Sequence, residues 1–256
     1  MSRTHHVLFV VGAPGAGKTT ALRTLASPAE SRIEDNDVRW TLKPPLAFIG
    51  LYRGAGLDDS SNMGGDSVAR HANRLSLEYW KRNILPDPQF RVTVIDGEMF
   101  LWDSHLKALR GDLSKEFAFI PEEQRKHYLP GGLYFRTYKA IMTSDETRFP
   151  IWRGSRSLPQ VQISCLYLHV SPEVSLRRRR SREGGAGEGV TTNTDQHMVT
   201  AASKQRNFAQ KFKEASEAAF FMPQENSSGY LEVNVEALSP MEVANTVRGY
   251  VQSLEA

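Results

Sequence analysis

Apolar residues along this chain gather into short runs that alternate with stretches of helical periodicity. "HHVLFVV" (5–11), "RVTVIDGEMF" (91–100) and "VQISCLYLHV" (161–170) are apolar, β-branched runs bounded by polar, Pro- or Gly-containing segments. That is the pattern of strands covered on both faces. "SRIEDNDVRW" (31–40) predicts a short strand ending in an acidic turn, and "YLEVNVEAL" (230–238) predicts the last strand. "TTALRTLA" (19–26) carries helix-forming residues directly after the first run. Between Thr194 and Phe220, the residues Met198, Ala201, Phe208, Phe212, Ala215 and Ala219 recur at helical spacing with a gap at Gln205, so they form one apolar face of a helix. "SPMEVANTVRGYVQSL" opens with Ser239 as N-cap and Pro240 at the first helical position, which predicts a C-terminal helix lying on the sheet. Strands alternating with helices imply an α/β fold with a mainly parallel, five-stranded sheet and helices on both faces.

The 256 residues are expected to form one domain with a full core. A long excursion at about 100–160 separates two core strands and is expected to be a substrate-side insertion of helices and loops. "REGGAGEG" (182–189) has the composition of a mobile loop. The single cysteine, Cys165, sits inside an apolar run, which excludes a disulfide framework and points to a reducing compartment. No apolar stretch approaches the ~20 residues of a membrane span, and "MSRTHH" has no signal-peptide pattern, so a soluble cytoplasmic protein is expected. A net charge of +3 decides little by itself, but the basic residues cluster in "LRRRRSRE" (176–183) and "GGLYFRTYK" (131–139), which suits a polyanionic partner.

The chemistry is concentrated at residues 12–19, where Gly12, Ala13, Pro14, Gly15, Ala16, Gly17, Lys18 and Thr19 match the spacing G-x-x-x-x-G-K-[ST]. The required strand precedes this loop and the required helix follows it. Glycines allow backbone N–H groups to turn inward around phosphates, and the positive end of the helix adds to them. Lys18 is expected to reach the terminal phosphates of ATP and Thr19 to hold Mg²⁺, with Thr20 closing the nucleotide-binding set. Asp96, at the end of the run beside the loop, is expected to orient the metal, and Glu98 to share that work or touch substrate. Asp37 or Asp35, at the end of the second strand, would accept the proton of an attacking hydroxyl.

No N-K-x-D guanine-reading motif is present, and a kinase is favoured over a GTP switch or a motor ATPase. The segment "CLYLHVSPEVSLRRRRSREGG" resembles the strand-to-lid region of thymidylate kinases and related nucleoside monophosphate kinases. The resemblance implies a lid at about 171–192 whose arginines, Arg178 and Arg182 on one face, meet charge developing on the transferred phosphoryl group. "RIEDNDVRW" is similar to the D-G-D-N-V-R segment of adenylylsulfate kinases.

Residues 47–80 combine Gly50, Tyr52 and Arg53, a turn at Gly64, Gly65 and Asp66, and a helix carrying Arg70, His71 and Arg74. This segment resembles the thymidylate-kinase-like P-loop proteins of bacteriophages, among them kinases of 5-hydroxymethyluracil in DNA. The resemblance implies that Tyr52, Arg53, Asp66, Arg70 and Arg74 bind substrate, a set that Glu98 joins from the strand end. It also implies that the partner is DNA containing a modified base. A DNA kinase must extrude its base and stack it on aromatic rings, for which the chain offers Trp40, Tyr52, Trp102, Tyr134 and Trp152. Two other functions use the same loop: a kinase of a free deoxynucleoside monophosphate, and a nucleotide-binding module that transfers no phosphate.

Overall fold

A computed structural model describes residues 4–35, 38–52, 79–97, 160–182 and 229–255, together with helical positions 199, 202, 203, 205–207, 209, 210, 212 and 213. The described strands are β1 (Thr4–Gly12), β2 (Ser31–Asp35), β3 (Val38–Lys43), β4 (Leu46–Ile49), β5 (Val92–Asp96), β6 (Gln160–His169) and β7 (Tyr230–Asn234). The helices with defined ends are α1 (Lys18–Ala26), α2 (Pro172–Arg182) and α3 (Pro240–Glu255), with one π-helical turn at Trp80–Ile84. One seven-stranded sheet runs in the order β2-β3-β4-β5-β1-β6-β7. From β4 to β7 all neighbours pair in parallel. β2 and β3 form an antiparallel hairpin attached to β4.

The sheet therefore has seven strands where five were expected, and the parallel set differs in one member. "SRIEDNDVRW" does not form one strand. Asp35 pairs with Val38, so only Asn36 and Asp37 separate two strands that fold back on each other. The physical reason lies in those residue types: Asn and Asp suit the two-residue connection of a hairpin. The fifth parallel strand is β4, "LAFI", whose four residues are all buried. It shows no polar alternation because both of its faces are covered.

Successive side chains of a strand point to opposite faces, and β1 uses both. Leu8 and Val10 join Val94 and Leu166, Ala21 and Leu22 of α1, and Val243, Val247 and Val251 of α3 in one buried cluster. Phe9 points the other way, with its ring 6.5 Å from that of Phe212 on the 199–213 helix. Both phenylalanines are fully buried, and each stabilises the fold by about 1.5–3 kcal/mol of transfer free energy. Phe212 of the gapped stripe thus faces the sheet, and Met198, Ala201, Phe208, Ala215 and Ala219 lie outside the described residues. α3 begins with a capping box: Ser239 N–H donates to Glu242 Oε2 at 2.7 Å, and Glu242 N–H donates to Ser239 Oγ at 3.3 Å. Lys43 of β3 donates to the carbonyls of Leu25 (2.8 Å) and Ser27 (2.7 Å) at the end of α1, where a cation complements the helix dipole. Cys165 is wholly buried, and burial pushes its thiol well above the usual range. Among the described residues no helix is long and apolar enough to cross a membrane.

Candidate functional site

All five parallel strands end at the same edge of the sheet. After β1 the chain builds the β2–β5 side, and after β6 it builds β7, so the order reverses between β1 and β6. Open α/β sheets take ligands at that crevice. The glycine-rich loop, from Gly12 to Gly17, crosses it. A Cβ on Gly12 would lie 2.5 Å from the Leu168 carbonyl oxygen, and one on Gly15 (φ +84°) 2.9 Å from the Ser175 carbonyl oxygen. β6 and α2 therefore approach the loop to distances that only glycine permits.

The carbonyls of four successive loop residues each accept a side-chain hydrogen bond. Lys18 Nζ donates to Gly12 O at 2.6 Å and to Ala13 O at 3.3 Å. Ser175 Oγ donates to Pro14 O, and Arg178 Nη1 donates to Gly15 O at 3.3 Å. The Gly12 N–H donates to Gln205 Oε1 at 2.6 Å. Because each peptide unit is planar and trans, a carbonyl pinned on one side turns the next N–H to the other. The N–H groups of Ala13 and Gly15 thus face away from the clamps on Gly12 and Pro14. α1 begins at Lys18, so its first amides and positive dipole end lie where the loop ends.

Thr19, in the first turn of α1, donates its hydroxyl proton to Asp96 Oδ2 at 2.9 Å. Asp96 is in register with Val10 of β1, one strand from the loop, and is 2% exposed. A hydroxyl beside a carboxylate is a donor set that fits Mg²⁺, which takes few protein ligands and fills its shell with water and phosphate oxygens. Among the described residues no group of three or more His, Cys, Asp or Glu could hold a metal by itself. The pair therefore fits a cation that arrives with a phosphate chain. Tyr52 follows β4, and its hydroxyl lies 3.5 Å from the same Asp96 oxygen. Burial, and then the Asp96 charge, raise the Tyr52 hydroxyl well above the usual phenol range, which keeps it protonated. Its backbone is fixed on both sides: Tyr52 N–H donates to Thr41 Oγ1 at 3.0 Å, and Arg32 Nε donates to Tyr52 O at 3.0 Å.

The structure thus brings Lys18, Thr19, Asp96 and Tyr52 to one crevice. It does not bring Asp35 there. β2 is an edge strand four places from β1, an offset of about 19 Å at the usual interstrand spacing. Arg178 is engaged with backbone carbonyls. Trp40 is fully buried and Tyr52 is 2% exposed, so neither presents a face for a stacked base. The side chains of Asp35 and Arg182 lie outside the described residues, as do Asp37, Arg53, Asp66, Arg70, Arg74 and Glu98. So do the insertion after Gly97, the "GGLYFRTYK" cluster, the tip of the expected lid, Trp102, Tyr134 and Trp152. Sequence reasoning missed Gln205 and Ser175. Gln205 had a signal, since it is the gap in an otherwise apolar stripe, and its side chain is 5% exposed. Ser175 had none.

Fold and site together define a mixed α/β protein with a glycine-rich loop at the carboxyl edge of a mostly parallel sheet. No protein-family model matches the chain, and comparison with curated proteins finds no match.

Proposed function

We propose that this protein is an ATP- and Mg²⁺-dependent phosphotransferase that moves the γ-phosphoryl group to the hydroxyl of a modified pyrimidine base, 5-hydroxymethyluracil, in DNA. The observation that carries the reading is the Thr19–Asp96 hydrogen bond at 2.9 Å, directly after the loop that Lys18 closes onto through the Gly12 and Ala13 carbonyls. In this reading the loop amides and Lys18 bind and orient the phosphates, and Thr19 and Asp96 hold the ion. Mg²⁺, when bound, neutralises charge on the phosphate oxygens. Tyr52 supports Asp96 from the substrate side. The acceptor oxygen bonds to the γ-phosphorus as the bridge to the β-phosphate breaks, and the hydroxyl proton leaves to solvent. A largely dissociative transition state asks the protein for positioning and charge more than for covalent help. No general base is therefore assigned. The acceptor is supported by the resemblance of the 47–80 segment and by the basic clusters.

The test offers labelled ATP and Mg²⁺ with DNA containing 5-hydroxymethyluracil, with unmodified DNA, and with free deoxynucleoside monophosphates. Label in the modified DNA alone supports the proposal. Label in a monophosphate alone makes the protein a nucleotide kinase. Nucleotide binding without any transfer would make it a binding module.

A further inference from the structure

We infer that Arg178 is a positioning residue, a latch joining the glycine-rich loop to the turn between β7 and α3, and that it serves nucleotide binding more than the transferred phosphoryl group. The nucleotide in that statement rests on the kinase reading; the latch stands on geometry. Arg178 Nη2 donates toward three backbone carbonyls, those of Val235 (2.8 Å), Glu236 (3.0 Å) and Leu238 (3.2 Å). Nη1 donates to Gly15 O at 3.3 Å. The three turn carbonyls follow the end of β7, beyond the strand ladder. Their dipoles converge into a negative nest, which suits a planar, delocalised cation with N–H groups in a fixed fork.

Two further contacts make the same connection. Ser175, three residues earlier on α2, donates to Pro14 O, and the Ser171 N–H before α2 donates to Glu236 Oε1 at 2.6 Å. α2 is thereby fastened to the loop on one side and to the turn on the other. A guanidinium held by these four carbonyls keeps its Nε hydrogen and one Nη1 hydrogen, but its position is fixed by the loop and the turn, so it is poorly placed to follow a moving phosphoryl group. Its charge is instead fixed behind Gly15, where it reinforces Lys18 before any bond breaks. An interaction present in the ground state changes affinity more than it changes the rate at saturation. Arg177, the neighbouring arginine, is exposed and takes no part in the latch.

The experiment compares the full wild-type chain with Arg178→Ala and Arg178→Lys. It reads thermal melting, binding of a fluorescent N-methylanthraniloyl-ATP with Mg²⁺, and the single-turnover rate at saturating ATP. Arg178→Ala is expected to melt lower and to bind the nucleotide roughly tenfold more weakly. Millimolar guanidinium chloride should restore both, with the loss falling on affinity more than on rate. Arg178→Lys keeps the charge but offers one nitrogen, so it should fail to restore either. Melting and affinity at wild-type values with a rate lowered roughly a hundredfold would overturn the latch and return Arg178 to the transition state. If the wild type binds no nucleotide, the kinase reading falls, and the latch is still judged by melting and its restoration by guanidinium. If Arg178→Ala does not fold, Arg178→Lys decides alone: wild-type melting and affinity in that variant overturn the inference.

Discussion

Lys18 is 8% exposed, and its ammonium rests against the carbonyls of Gly12 and Ala13. Burying a cation at the mouth of a loop costs desolvation free energy, and a role toward an anionic ligand accounts for that cost. Lys18→Met keeps the length and removes the charge. It should lower phosphoryl transfer by roughly 10²-fold or more while melting stays within about 4 °C of wild type. Wild-type turnover by a folded Lys18→Met protein would refute the role given to the loop. A different single residue should show the opposite split. Thr93 is buried, and its hydroxyl accepts from Trp80 Nε1 at 2.8 Å and donates to His5 Nε2 at 2.9 Å. That assignment follows if the other ring nitrogen, His5 Nδ1, donates to Phe90 O at 3.3 Å. Thr93→Val keeps the shape and takes the shared hydroxyl from both rings, so it should cost about 2–4 kcal/mol. Urea unfolding with an unchanged slope would measure the loss, and activity per folded molecule should stay at the wild-type level.

At the scale of elements, what the sequence disclosed depended on length and on period. β1, β5 and β6 were legible because each is an apolar run with clear boundaries, β7 because Leu and Val alternate with polar residues, and α3 because its first residues spell a capping box. β4 was hidden by its size: four apolar residues between Pro45 and Gly50 resemble a fragment of a loop. The β2–β3 hairpin was hidden by its own turn, since the acidic residues that end β2 also suit a catalytic strand end. At the site, Lys18, Thr19 and Asp96 were legible because a motif and a strand end fix their places. Gln205, Ser175 and the latch of Arg178 were not, because they depend on how helices distant in sequence dock against the loop. The hairpin makes a prediction of its own. β2 lies four strands from β1, so the end of that strand is offset from the loop's strand by about 19 Å at the usual spacing, against the ~3 Å reach of a general base. Asp35→Asn and Asp37→Asn should each retain single-turnover transfer within about threefold of wild type, rather than lose the roughly 10²- to 10⁴-fold typical of a missing base. A loss of that size in either variant would mean that the acceptor spans the crevice from the loop to the hairpin.

For the whole molecule, charge tests the size of the acceptor in the proposed kinase. The chain carries a net charge of +3 and a pI near 9.0. That excess is too small to imply nucleic acid by itself, but its distribution matters. Within the cluster on α2, Arg178 is engaged inside the fold, while Arg177 is exposed. Arg136 and Lys139 belong to a second cluster, far along the chain from the loop, in a segment that also carries aromatic residues. A mononucleotide brings its charges into the crevice alone, so distant cations should hardly affect it. A polymer extends past the crevice, and each backbone phosphate neutralised by Lys or Arg releases counterions, so apparent affinity falls steeply as salt rises. KM for 5-hydroxymethyluracil DNA should therefore increase by about tenfold or more between roughly 50 and 200 mM salt. The affinity for ATP should change much less over the same range. Replacing Arg136 and Lys139 with Ala should make the salt dependence shallower by about one unit of slope per lost contact and leave ATP binding untouched. If the double variant keeps the wild-type slope, those residues do not meet the backbone. A salt dependence for the acceptor as shallow as that for ATP would show that the protein acts on a free nucleotide.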